Sequence, residues 1–380
     1  MNDVYIVDSV RTAVGKMGGT LKDIEADFLA SKVIGEIVTR TNINQKKVDE
    51  VIFGQAKQST DAPNIARVAA IRAGIPIDVP SYTVHRQCGS GVQAINNGAQ
   101  QIACGQADII IAGGTESMST APYYLRNARF GYTAGNAQIL DPNTESQPRS
   151  QPYEIYGDLT MGMTAENLAV KYAISRQEQD EFALRSQVFA HEAIEKGLSE
   201  RQIVPYEIKT RKGVTHFAQD EHPRLSPLED LAKLKPVFLE GGTVTAGNAS
   251  GRNDGAGAVV LASEKAVEEH GLQPKARIVS YAAVGVAPEM MGIGPVPATR
   301  KALQLASLTL ADIDLIELNE AFAAQSLAVI KELQLDMKKV NVNGGAIALG
   351  HPLGSTGAVL MTKLLHELER RGDRYGLVTF

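Results

Sequence analysis

The chain has very little cysteine, two residues in 380. So few thiols cannot make a disulfide scaffold, and a reducing, cytoplasmic setting is the expectation. No apolar run reaches the length of a membrane span. The opening MNDVYIVDSVRTAVG places acids among its first residues and is not read as a signal peptide. There is no basic excess: the net charge is −5, which gives no electrostatic reason to expect nucleic acid. A phosphorylated ligand would have to be met by local cations and backbone amides. Neither a CxxC pair nor an HExxH occurs, so no metal site is expected. The Walker and dinucleotide spacings are also missing, which leaves an NTP or NAD site unsupported. The 44 % hydrophobic and 21 % charged content is that of a globular protein. The length allows two core-forming units.

Strands rich in Val and Ile alternate with longer helical patterns. DVYIVDSV (Asp3 to Val10), VDEVIFGQA (Val48 to Ala56), ADIIIAGG (Ala107 to Gly114) and NDGAGAVVLASE (Asn253 to Glu264) read as strands. Phe28 to Thr39 and Ala62 to Ala73 lie between the first of them as amphipathic helices. The alternation predicts α/β layers around a largely buried sheet. A second series follows: a strand over Ala276 to Gly285, a helix over Thr299 to Ala306, then strand, break and helix over Asp312 to Leu333. Val340 to Glu369 reads as strand, glycine-rich loop and helix, and YGLVTF begins another strand. The two series share an order, so a duplicated α/β unit is the economical reading. The polar, turn-rich stretch from about Ser119 to Thr245 differs in texture and reads as an excursion out of the first unit that covers a site.

Chemistry gathers at the strand-to-helix junctions. Cys88, in VHRQCGSGVQAI, sits where a strand stops and a helix starts. Helix-start N–H groups carry partial positive charge, and a thiol beside them ionises more easily than one in solution. The other reading is a buried packing thiol, and the flanking Gly89 and Gly91 bring the nucleophilic reading level with it. Cys104, in QQIACG, fits the packing reading. His351, in GGAIALGHPLGSTGA, has a glycine-rich, helix-entry setting that mirrors Cys88, with Pro352 placed to open the helix. Such an imidazole can take a thiol proton; otherwise it is an exposed loop histidine. Asn319, in ELNEAFAAQ, can hold a water or a carbonyl with its amide, but its position favours a helix N-cap. Glu320 beside it reads as a paired or capping carboxylate.

Taken together, VHRQCGSGVQAI, GGTESMS, MGMTAEN, TVTAGNASGRNDGAGA, LNEAFAAQ and NGGAIALGHPLGSTGA resemble the successive signature blocks of the thiolases, in that family's order. The likeness extends over essentially the whole chain. It implies a five-layered α-β-α-β-α fold of two duplicated βαβαβαββ halves. The implied divisions are residues 1–118 plus 246–265 for the first half, an inserted loop domain over 119–245, and a second half over 266–380. It implies thioester chemistry on coenzyme A with no other cofactor. By resemblance, Cys88 is the acyl-accepting nucleophile, His351 activates it and stabilises the thioester oxyanion, and Asn319 holds a catalytic water. Met161, Arg224, Ala246, Ser250, Ala321 and Phe322 match positions lining the coenzyme A channel. Family members are homodimers or homotetramers.

The sequence departs from the family pattern in four places. The family has a second catalytic cysteine in a C-x-G motif after a strand like GLVTF, and the sequence stops at Phe380. The expectation is a further tail of about a dozen residues, one strand and its turn. Were Phe380 the natural end, condensation should fail while Cys88 is still acylated. Thr160 stands where short-chain biosynthetic members have His, Arg252 replaces an apolar residue, and His85 replaces Asn with no role assigned. The leading reading is an acetyl-CoA C-acetyltransferase. The alternatives are a 3-ketoacyl-CoA thiolase for longer chains, a non-catalytic acyl-CoA or lipid-binding relative, and a ketoacyl synthase, against which NEAF and GHPLG together argue.

Overall fold

A computed structural model describes residues 2–211 and 213–380. Five strands dominate the first sheet: β1 (Val4–Thr12), β2 (Glu50–Gly54), β3 (Ser81–Val84), β4 (Ile109–Ser117) and β5 (Asn253–Ser263). Their spatial order is β1-β5-β4-β2-β3, and the short strand Ala276–Arg277 pairs antiparallel with the outer side of β1. The partners β1–β5 and β5–β4 run antiparallel, and β4–β2 and β2–β3 run parallel. Every residue of β4 and β5 is buried, as the run of Ile, Val and Ala in each demands of strands covered on both faces.

The helices that matter here are α1 (Ala26–Thr41), α2 (Ile65–Arg72), α3 (Ser90–Ala103), α4 (Met161–Lys171), α5 (Arg176–Glu195), α6 (Pro295–Ala306), α7 (Ala323–Leu333) and α8 (Thr356–Arg371). On one face of the sheet, Leu29, Val33 and Ile37 of α1 and Ile65 and Ala69 of α2 pack on Val51, Phe53 and Ile111. On the other, Ala94, Ile95 and Ile102 of α3 and Ala358 and Leu365 of α8 meet Ile52, Ile110 and Leu261. The far side of α8 carries a second sheet, β6 (Leu315–Leu318) paired parallel with β7 (Gly376–Thr379). Beyond it lie α6 and α7, through Val296, Leu303, Val329 and Ile330. The result is the five-layered α-β-α-β-α arrangement, with α3 and α8 as its central layer.

The duplicated order read from the sequence has a counterpart in pairing. The matched strands β2 and β4 pair in parallel, as do β6 and β7. Val340 bridges Ile316 in parallel, as β3 does β2. The matched helices α3 and α8 touch backbone to backbone at their starts. A Cβ on Gly91 would lie 2.8 Å from the carbonyl oxygen of Gly354, and one on Gly357 would lie 2.1 Å from the backbone nitrogen of Val92. Neither site has room for a methyl, so the two glycines set how closely the junctions approach. Gly357→Ala is expected to cost about 1–3 kcal/mol of stability through overpacking, read as a lowered thermal midpoint.

Four elements differ from the sequence reading, the first being the strand expected at Val340, which is a single bridge to Ile316. The strand expected over Ala276 to Gly285 is formed only at Ala276–Arg277. A strand needs a hydrogen-bonded neighbour, and beyond the Ile278 N–H donated to Val4 O the described residues offer this segment no further backbone partner. The helical stretch in the excursion breaks at Tyr172–Ser175 into α4 and α5, where Ser175 caps α5 with a reciprocal Glu178 box. Pro352 opens a single 3-10 turn, Leu353–Ser355, and α8 begins only at Thr356.

Candidate active site

Cys88 lies between β3 and α3, and its turn is tightly specified. Gln87 takes φ 45°, a left-handed conformation costly for a residue with a Cβ. Ser90 repays part of this strain: its hydroxyl accepts the Arg86 N–H at 2.8 Å and donates to the Gln87 carbonyl at 2.6 Å. The thiol is partly buried. Contrary to the expectation of easy ionisation, burial raises its pKa to about 11, with Lys57 and the residue's own N–H only partly opposing this. Desolvation wins because Cys88 precedes the helix start at Ser90 and sits in an enclosed site. At neutral pH the group is a thiol.

His351 is buried, 4 % exposed, and held by two hydrogen bonds. Its N–H donates to Asn253 Oδ1 at 2.9 Å, and Nδ1 lies 2.7 Å from Thr356 Oγ1. The Thr356 hydroxyl donates to the Pro352 carbonyl at 2.9 Å, so it accepts from Nδ1–H. This tautomer leaves Nε2 as the basic nitrogen, buried and without a partner among the described residues. Burial also lowers the imidazole pKa to about 4, so His351 is neutral at physiological pH. The resting pair is a neutral thiol and a neutral imidazole with a free lone pair.

Asn319 follows β6 and its N–H donates to the Thr379 carbonyl at 3.0 Å. It is not a helix cap: α7 starts four residues later, after Phe322. Its side chain is buried, Oδ1 has no partner among the described residues, and the amide can serve a ligand. Glu320 is structural, accepting from Ser186 Oγ at 2.6 Å, Asn341 Nδ2 at 2.7 Å and the Ile347 N–H at 3.2 Å. Two short backbone bridges bring the channel residues together. Ser250 N–H donates to the Ala321 carbonyl at 3.0 Å and Ala323 N–H to the Asn248 carbonyl at 2.8 Å. Phe322 stacks edge-on against Phe238, with centroids 5.9 Å apart. Thr160 caps α4, its hydroxyl accepting the Met163 N–H, which places Met161 at the first helical position.

One cavity of about 1610 Å³ is lined by Cys88, His351, Asn319, Met161, Ala246, Ser250, Ala321 and Phe322. Arg224, the remaining residue expected there, does not line it. It is exposed, and its N–H donates to Gln187 Oε1 at 2.8 Å, which fixes the segment against α5. Cys104 is exposed at the end of α3, so the packing reading does not hold for it. Sequence reasoning missed Glu116, in the middle of GGTESMS. Its buried carboxylate accepts the N–H groups of Ala56 and Lys57, each at 3.0 Å, and of Gly354 at 2.9 Å. It thereby ties the loop after β2 to the loop that carries His351. It missed Asn253 and Thr356 for the same reason: their partners are set by the fold.

This architecture, with two related junctions facing one cavity, is the one that thiolases share. The family model for the thiolase N-terminal domain matches residues 4–265, and that for the thiolase C-terminal domain matches 272–380. The chain belongs to the thiolase family. It is 49 % identical to an acetyl-CoA acetyltransferase of Syntrophomonas wolfei, covering 99 % of this chain and 95 % of the relative. Among solved structures, the acetyl-CoA acetyltransferase of Bacillus anthracis superposes with TM-score 0.96 at 49 % identity, over 100 % of this chain and 96 % of that one. Human mitochondrial 3-ketoacyl-CoA thiolase in complex with CoA superposes with TM-score 0.94 at 46 % identity, over 100 % and 95 %.

Proposed function

We propose that this chain is an acetyl-CoA C-acetyltransferase, which interconverts acetyl-CoA and acetoacetyl-CoA through an acyl group carried on Cys88. The observation that carries the reading is the free Nε2 of a neutral, buried His351 in the cavity that holds a neutral Cys88 thiol. In thiolysis, Nε2 takes the thiol proton as Sγ attacks the 3-keto carbonyl. The C2–C3 bond then breaks, the α-carbon of the departing acetyl-CoA takes up the proton held on Nε2, and the acyl group remains on sulfur. Coenzyme A thiol attacks that thioester, and the thiol proton returns to Cys88 by way of His351. The Asn319 amide, buried with Oδ1 unpartnered, is suited to hold a water or a carbonyl oxygen beside the reacting centre. Met161, Ala246, Ser250, Ala321 and Phe322 would flank the pantetheine arm.

The same reading assigns the chain no cofactor beyond its coenzyme A thioester substrates. It keeps 119–245 as a loop domain inserted between residues 1–118 and 246–265, with 266–380 as the second half. A homo-oligomer, dimer or tetramer, is part of the proposal. Its support is the exposed apolar side chains of Tyr123, Phe130 and Ile139 around the small hairpin Tyr124–Leu125 and Ile139–Leu140. No helix of the described residues is long and apolar enough to cross a membrane, and a cytoplasmic setting is proposed from the cysteine usage. A thiolysis assay of acetoacetyl-CoA beside a medium-chain 3-ketoacyl-CoA tests the reading. Faster cleavage of acetoacetyl-CoA is expected; preference for the medium chain would move the assignment to a 3-ketoacyl-CoA thiolase.

A further inference from the structure

Lys57 is a buried cation on the wall of the cavity that holds Cys88. Its ammonium donates to two neutral acceptors, Ser146 Oγ and the Pro142 carbonyl. No carboxylate lies within ion-pair distance of it among the described residues. Glu116 and Asp141 are near enough to be felt electrostatically, but Glu116 accepts three backbone N–H groups, and Asp141 accepts from the Asn143 N–H and the Thr144 hydroxyl. The bonds to Glu116 fix the backbone of Lys57 against the His351 loop. A buried ammonium without a counter-ion is costly, and the cost falls when a ligand brings the opposite charge.

A second cation stands close by. Arg252 lines the same cavity, and its backbone bridges that of His351. Its guanidinium is only loosely held, 3.6 Å from Asp141 and 3.4 Å from Thr144 Oγ1. The neighbouring wall is polar, formed by Asn143, Ser146, Gln147 and Ser150. A methyl-ended acyl chain placed here would leave the ammonium unpaired and desolvate amides for no return. A carboxylate would meet two cations and the Ser146 hydroxyl, whose proton has no acceptor among the described residues. Lys57 and the Cys88 thiol line the same cavity and lie within electrostatic reach of each other, which suits a short acyl group between sulfur and ammonium.

We propose that the acyl end of this cavity selects short acyl groups ending in a carboxylate, with Lys57 as the specificity-determining contact and Arg252 as its partner. The proposal rests on the reading of Cys88 as the acyl acceptor. The transfer itself is unchanged: the bond from the acyl carbon to coenzyme A sulfur breaks, the bond to Cys88 Sγ forms, and the thiol proton passes by way of His351 to the departing thiolate.

The test compares single-turnover acylation of the full chain by succinyl-CoA, butyryl-CoA and acetyl-CoA, read as coenzyme A released and as acyl mass on the protein. Succinyl transfer is expected to exceed butyryl transfer by roughly tenfold or more, the worth of one charged hydrogen bond. Lys57→Met should collapse that ratio and Lys57→Arg should restore most of it, whereas a merely structural loss would slow all three donors alike. A wild-type preference for butyryl-CoA, or a ratio unmoved by Lys57→Met, overturns the proposal. Should Lys57→Met not fold, the wild-type ratio and Lys57→Arg decide. If none of the three donors acylates Cys88, the reading of Cys88 falls; if acetyl transfers without a preference for succinyl, only the carboxylate reading falls.

Discussion

Replacing Cys88 by Ser is expected to abolish acyl-enzyme formation and to reduce acyl transfer by on the order of 10⁴-fold or more. The argument begins with position. The strained Gln87 and the two hydrogen bonds of Ser90 present the sulfur at one point of the cavity, and Ser at 88 keeps that backbone. What it changes is the atom. A thiol raised to about 11 is already a demanding proton donor for a neutral imidazole. A hydroxyl is far more so, and the same base is too weak to activate it. Retention of covalent labelling by radioactive acetyl-CoA in Cys88→Ser would refute the assignment of the nucleophile.

Replacing His351 by Ala is expected to slow acylation of Cys88 by about 10²–10⁴-fold, the usual share of a general base. The network predicts how the loss behaves with pH. In the intact protein the imidazole stays neutral down to about pH 4, so Nε2 can accept a proton throughout the physiological range. Acylation should therefore be nearly flat across that range and fall as pH drops through about 4. Without the imidazole the reaction must wait for spontaneous ionisation of a thiol near 11, so the rate should climb steadily with pH towards that value. A flat profile in His351→Ala, or an unchanged rate, would mean that another group takes the proton.

The junctions were the most legible part of the sequence. Cys88 and His351 announce themselves because a glycine-rich turn between strand and helix is a local feature, and local features survive in a linear reading. The duplicated order was legible for the same reason, since hydrophobic periodicity marks strands and helices without knowledge of their partners. The contacts that make the site were not legible. Glu116 reaches Lys57 and Gly354, which are 59 and 238 residues away in sequence, and no spacing rule reports such a link. The easy ionisation expected of Cys88 failed because burial opposes the helix start and wins. The helix-cap reading of Asn319 failed because Phe322, rather than Asn319, precedes the helix. Arg224 is exposed and does not line the cavity, a placement that its position in the sequence does not report. The strand expected after Ala276 had the right residues, but a strand is made by its neighbour as much as by its own side chains.

The most direct measurement is the intact mass of the protein after brief mixing with acetyl-CoA, followed by peptide mapping of both cysteines. A single acetyl group on Cys88, matched by one equivalent of released coenzyme A, with the exposed Cys104 unmodified, is the predicted result. An unmodified Cys88, or an acetyl group found on Cys104 instead, would contradict it.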